Sequence, residues 1–172
     1  TGYIAGDVIL VEDNIPVMVD NIVWPTGGLF FGYATIVPAF SATGDANAMN
    51  LNNIANVFDI AALGITVEKV TFEFVTYGGD ENLQVNGAPI FVGQLESAPM
   101  AIAPGVNYFV TTSVVPGGLY GEAVLYGNVQ KLLLAGQEFE IDNICVYEDT
   151  STSGCDNLSD NESLALGTTW GS

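Results

Sequence analysis

The chain has 172 residues and carries 20 Asp+Glu against 2 Lys+Arg and no His, for a net charge of -18 at pH 7. Lys69 and Lys131 are the only basic side chains, which excludes a phosphate-neutralising nucleic-acid surface and attraction to an anionic membrane. Without His or Arg there is no Ser-His or Cys-His dyad, no His-ligated zinc and no bidentate anion clamp. Hydrophobic residues make up 49%, with 9 Phe, 7 Tyr and 2 Trp, so the chain builds a packed core and is not an acidic disordered tail.

In chain order, short alternating or apolar runs predict strands at Asp7–Val11, Pro16–Val23 and Phe30–Val37. Asn53–Leu63 reads as one helical turn stopped by Gly64. Strands follow at Val67–Tyr77, Leu83–Asn86 and Ala88–Val92, the last two joined at Asn86-Gly87, a pair suited to the two positive φ angles of a type I′ hairpin turn. Further strands are predicted at Tyr108–Val114, Gly121–Tyr126, Val129–Leu134 and Glu138–Tyr147, with a turn at Pro116-Gly117-Gly118. About ten short strands separated by turns predict an all-β protein, an antiparallel β-sandwich or jelly roll. The charge-free runs Asn21–Gly44 and Ser97–Gly121 are interrupted by Pro and Gly and do not form membrane-spanning helices.

The sequence divides into a sandwich domain over 1–148, a polar linker over 149–162 and a C-terminal strand over 163–172. In that last segment Leu164, Leu166 and Trp170 alternate with small residues, which predicts an arm strand. It would act as a donor to a neighbour, fold back on its own domain, or begin a next module. A basic n-region followed by an apolar run is absent, so any signal peptide is expected to have been removed. Cys145 and Cys155 are expected to form a disulfide in a secreted chain, and Asn157 and Asn161 open two Asn-x-Ser glycosylation acceptors. All of this places the chain outside the cell or on its surface.

Residues Gly136-Gln-Glu-Phe-Glu-Ile-Asp-Asn-Ile-Cys-Val-Tyr147 resemble the closing strand of jelly-roll carbohydrate-binding modules, where an aromatic-x-Ile-Asp-(Asp/Asn)-(Val/Ile) run ends the fold. In that family an Asp of this strand joins acidic residues near the N-terminus at a structural Ca2+. The resemblance therefore implies Asp142 as a ligand, with Glu12 or Asp13 as its partner. Charge points the same way without the resemblance, because binding calcium through about six to eight oxygens relieves the repulsion among uncompensated carboxylates. The turn Gly78-Gly79-Asp80-Glu81-Asn82 offers Asp80 and Glu81 as a second candidate pair, against the alternative of a plainly solvated acidic surface.

Other features carry a structural reading first. Glu138 and Glu140 share a strand face, as do Glu73 and Thr71, and such carboxylates serve glycoside hydrolysis only when substrate-orienting groups accompany them. Lys69 and Lys131 read as edge-strand lysines paired with carboxylates. Trp24, Trp170 and the tyrosines are either core or a stacking platform for sugar rings.

Two functions fit. One is a non-catalytic extracellular β-sandwich that adds strands between copies of itself or neighbouring modules into a filament, surface layer or stalk, stabilised by calcium. The other is a secreted, calcium-stabilised carbohydrate-binding module of a larger protein whose partner is a polysaccharide.

Overall fold

A computed structural model describes residues 2–38 and 47–148, together with the backbone of 156–157 and 169–171. The strands are β1 (Val8–Glu12), β2 (Ile15–Val23), β3 (Leu29–Phe30), β4 (Tyr33–Pro38), β5 (Asn47–Asn52), β6 (Ile54–Phe58), β7 (Val67–Thr76) and β8 (Glu81–Val85). They continue with β9 (Phe91–Gly93), β10 (Ala101–Ala103), β11 (Val106–Val115), β12 (Gly118–Tyr126), β13 (Leu132–Gly136), β14 (Phe139–Glu148), β15 (Asp156–Asn157) and β16 (Thr169–Gly171). Among the described residues the only helical elements are two 3-10 turns, Ile60–Leu63 and Leu95–Ser97. None is long and apolar enough to cross a membrane.

The strands form two antiparallel sheets packed as a sandwich. A seven-stranded sheet runs β1-β2-β6-β13-β8-β9, with β3 paired to β2. A nine-stranded sheet runs β10-β11-β12-β7-β14-β5-β4-β16, with β15 paired to β14. The all-β sandwich predicted from the alternating runs is the observed architecture.

Alternation decides which side chains meet between the sheets. Val17, Val19, Ile54, Phe58, Leu132 and Leu134 face inward from the seven-stranded sheet, against Phe72, Phe74, Phe139 and Ile141 of the nine-stranded one. Phe74 is central, with ring centroids 6.2 Å from Phe72 and 5.7 Å from Phe139. Gly121 lies directly opposite Phe74 across the β12–β7 ladder. A Cβ at Gly121 would come within 2.2 Å of the Phe74 ring, so glycine is what lets that ring lie flat on the sheet. A second apolar layer, Ile22, Ala55, Val57, Leu133 and Ala135, covers the opposite face of the seven-stranded sheet.

Turn chemistry closes the hairpins. Asn86 and Gly87 have φ of 53° and 71°, the pair of positive angles expected there, although β9 begins only at Phe91. Asp13 and Asn14, at 46° and 67°, make the same kind of turn between β1 and β2. At the far end of β2, the Asn82 side chain from β8 acts as a surrogate strand. Its Oδ1 accepts the Val23 N–H at 2.6 Å and its Nδ2 donates to the Val23 carbonyl at 2.9 Å.

Two expectations change, and the arm takes one of the courses left open for it. Asn53–Leu63 is mostly strand: β6 is buried along its whole length between the core and the second apolar layer, and only Ile60–Leu63 turns, as a 3-10 element ended by Gly64 at φ 67°. The preceding β5 was masked in the sequence by Asn47, Asn50 and Asn52, residues of low strand propensity. Lys69 is not on an edge strand, since β7 lies between β12 and β14, and its Nζ sits 3.7 Å from the Tyr147 ring centroid. The arm folds back on its own chain: β16 pairs antiparallel with β4, placing Trp170 opposite Ala34.

Gly121→Ala is expected to destabilise the chain by ~1–3 kcal/mol through overpacking against Phe74, read as a lower midpoint in thermal denaturation. An unchanged midpoint would show that the ring relaxes freely.

Candidate functional site

The outer face of the nine-stranded sheet gathers the carboxylates. Glu122 of β12 is the register partner of Glu73 of β7, which in turn is the partner of Asp142 of β14. Three acids therefore stand in a row across three central strands, an arrangement in which directly opposed like charges are destabilising. Beyond Asp142 the ladder slips, and Asn143 adopts φ 50° in a bulge that turns its amide toward the row.

Donors without charge hold these acids. Asn143 Nδ2 donates to Glu73 Oε2 at 3.2 Å, the Asn143 N–H donates to Asp142 Oδ1 at 2.9 Å, and the Tyr120 hydroxyl donates to Glu122 Oε1 at 3.1 Å. Burial pushes the Glu73 carboxyl above its ordinary range, with Glu122 and Asp142 adding to the rise, while the Asn143 and Tyr120 bonds oppose it. Glu140, next along the face, is raised by burial as well, and Asn50 Nδ2 donates to it at 3.3 Å. Burial and Glu140 together push the Tyr77 phenol up to about 12.

Between these residues lies a cleft of about 340 Å³ lined by Thr71, Glu73, Glu122, Asn143, Cys145 and Tyr147. Tyr147 forms one wall with Lys69 over its ring. Beside it, Phe109 and Tyr126, 45% and 48% exposed, pack edge to face with centroids 5.9 Å apart. The cleft thus offers hydrogen-bond acceptors, amide donors and aromatic surface together, the mixture that suits a polyhydroxylated ligand.

The residues singled out from the sequence are dispersed. Glu12 is buried at the end of β1 in the seven-stranded sheet, Asp13 is a turn residue, and Asp142 lies in the other sheet. Asp80 donates its N–H to Gln137 Oε1 at 2.9 Å, while Glu81 is wholly buried and accepts the Thr76 hydroxyl. Among the described residues no three acidic or cysteine side chains are arranged to hold a metal ion. Cys145 is disulfide-bonded. Cys155, Leu164, Leu166 and Asn161 lie outside the described residues, while Asn157 and Trp170 are described by backbone alone, with Asn157 opposite Cys145.

Glu122 and Asn143 were not singled out from sequence as a site, and Tyr147 only as one of seven tyrosines that could be core or a sugar platform. Alternation within β12 and β7 places Glu122 and Glu73 outward, yet only the register makes them neighbours. Comparison with protein-family models, curated proteins and solved structures returned no match.

Glu122→Gln is expected to raise stability by ~0.5 kcal/mol in denaturant unfolding, because it removes one of two opposed charges and keeps the acceptor for Tyr120. A loss of stability would mean that the row is not repulsive.

Proposed function

We propose that the chain is an extracellular, non-catalytic β-sandwich that binds polysaccharide on the outer face of its nine-stranded sheet. The cleft beside Tyr147 carries this reading, since it joins carboxylate acceptors and the Asn143 amide to exposed aromatic rings. The closing-strand resemblance is in keeping with it. The ligand is a neutral or amine-bearing glycan, because the Glu122–Glu73–Asp142 row repels uronates and sulfates.

Affinity electrophoresis or calorimetry on a panel of neutral, amino and acidic polysaccharides tests this. Tyr147→Ala should weaken binding about tenfold, equivalent to ~1.4 kcal/mol, with folding retained. Glu122→Gln should weaken binding while it stabilises the fold, the signature of a residue kept for function. Binding confined to acidic glycans sinks this reading, and steady release of reducing ends would make the paired carboxylates catalytic.

Assembly by strand addition is a second reading, favoured by the β16–β4 pairing at the end of the nine-stranded sheet. The same ladder formed between copies runs on head to tail into a filament. Electron microscopy of the native material should then show fibres that are lost on deletion of 163–172. Fibres that fray in chelator would tie calcium to the assembly, and dispersed particles in every sample would end the strand-exchange idea.

A further inference from the structure

The two ends of the nine-stranded sheet are finished differently. At one end β16 covers β4. At the other, β10 is short and meets β11 only at Val106 and Asn107, after which the Tyr108 N–H donates to the Met100 carbonyl at 2.7 Å. From Phe109 to Val115, β11 is paired on one side alone among the described residues, to β12. The ends of the seven-stranded sheet are blunted, since β1 carries a bulge between Val8 and Leu10 and β9 is short. This part of β11 has no such device. No charge, proline or bulge interrupts Phe109-Val-Thr-Thr-Ser-Val-Val115, which lies within the charge-free run 97–121.

Strand geometry says what this edge presents. Main-chain groups of alternate residues point to the same side. The N–H and C=O of Val110, Thr112 and Val114 therefore share the direction of the Tyr108 N–H, away from β12. Side chains alternate too: Tyr108 and Val110 pack on the core, and Thr112 and Val114 follow on the same face. The core does not reach that far, because Thr112 is exposed and Val114 is 87% exposed. On the other face Phe109, Thr111 and Ser113 are exposed as well. The strand end thus offers open main-chain groups and uncovered apolar surface together.

We propose that this edge pairs with the same edge of a second copy of the chain, antiparallel about a two-fold axis at Thr112, so that two nine-stranded sheets become one. The edge is complementary to itself in that register. Val110 stands opposite Val114 of the second copy, Thr112 opposite Thr112, Thr111 opposite Ser113 and Phe109 opposite Val115. These are β-branched, hydroxyl and aromatic–aliphatic pairs, the kinds that stabilise cross-strand contacts. The open N–H and C=O groups of Val110, Thr112 and Val114 meet as hydrogen-bonded pairs, about six bonds in all. The ladder ends where the second copy's turn at Pro116-Gly117 comes up to Met100, the residue bonded to Tyr108.

Charge selects the occupant. A chain of net charge -18 repels its own copies wherever carboxylates face each other, and this strand end has none. The one acid of β12, Glu122, is the register partner of Thr111. Across the pair the two Glu122 side chains stand about three strand spacings apart, ~14 Å, beyond the screening length of about 8–10 Å at ordinary salt. The chain's own arm is engaged at the opposite end of the sheet, on β4. The axis runs perpendicular to the sheet, so both outer faces, with their Glu122–Glu73–Asp142 rows, look the same way. A two-fold contact is closed and makes pairs, unlike the head-to-tail filament of the β16–β4 ladder. It stands whether or not the cleft binds a glycan.

The test is sedimentation equilibrium of the full chain from micromolar to sub-millimolar concentration, in low and high NaCl. A two-chain species should form and tighten as salt screens the remaining repulsion. Thr112→Pro removes an N–H that bonds to nothing among the described residues, and Val114→Glu sets a charge on the open edge. Each should raise the dissociation constant at least about tenfold, with the thermal midpoint of the dilute chain unchanged. Deletion of 163–172 should leave the pair intact. A single chain at every concentration and salt overturns the proposal, as does a pair that either folded variant leaves unchanged. Loss of the assembly on deletion of 163–172 overturns it in favour of a neighbour's arm on this edge. If Thr112→Pro fails to fold, Val114→Glu decides alone, because that side chain stands almost wholly in solvent.

Discussion

Charge without counter-charge is the constraint on which the structure depends. Twenty acids face two lysines, so most of the carboxylates have no basic side chain to pair with. Amides and hydroxyls replace the missing cations: Asn143 serves Glu73 and Asp142, Asn50 serves Glu140, Tyr120 serves Glu122, and Thr76 serves Glu81. Such bonds satisfy an acceptor and leave its charge in place, and burial still raises Glu73, Glu81 and Glu140 against them. Lys69 stacks on Tyr147 at the rim of the acidic face.

With electrostatics opposing compaction, apolar packing must hold the fold together. The Phe72–Phe74–Phe139 stack occupies the centre of the nine-stranded sheet's inner face, and β7, which carries two of the three rings, is flanked by the two strands that build the cleft. The core and the outer face are thus two sides of the same strands. Phe72 and Phe74 point inward, and Thr71 and Glu73 between them point outward by the two-residue period of a strand. Any shift of register at β7 would exchange core for site.

The outer face and the buried Glu81 carry their charge in different surroundings. On the outer face Glu122 is exposed and Glu73 partly so, while Asp142 at the end of the row is buried. At Glu81, full burial raises the carboxyl against the hydrogen bonds from the Thr76 hydroxyl and the Leu95 backbone. The bulge at Asn143 shows how local backbone geometry contributes, since its left-handed φ brings an amide to a row that would otherwise contain acceptors alone.

Composition and period were enough to determine an acidic all-β sandwich: strands as long as β7, β11 and β14 announce themselves by alternation, and Asn86-Gly87 by its turn chemistry. They also determined what the chain lacks, because absent His and Arg remain absent in any fold. Strands β5 and β6 were hidden, the first behind alternating asparagines and the second because burial on both faces erases the two-residue period. The site could not be read from sequence for a related reason. Alternation says which face a side chain takes, while cross-strand register, set over separations such as Glu73 to Asp142, says which side chains become neighbours. Burial is likewise a property of the assembled sheets: Asp80 and Glu81 are adjacent in sequence, and only closure of the sandwich leaves Glu81 without solvent.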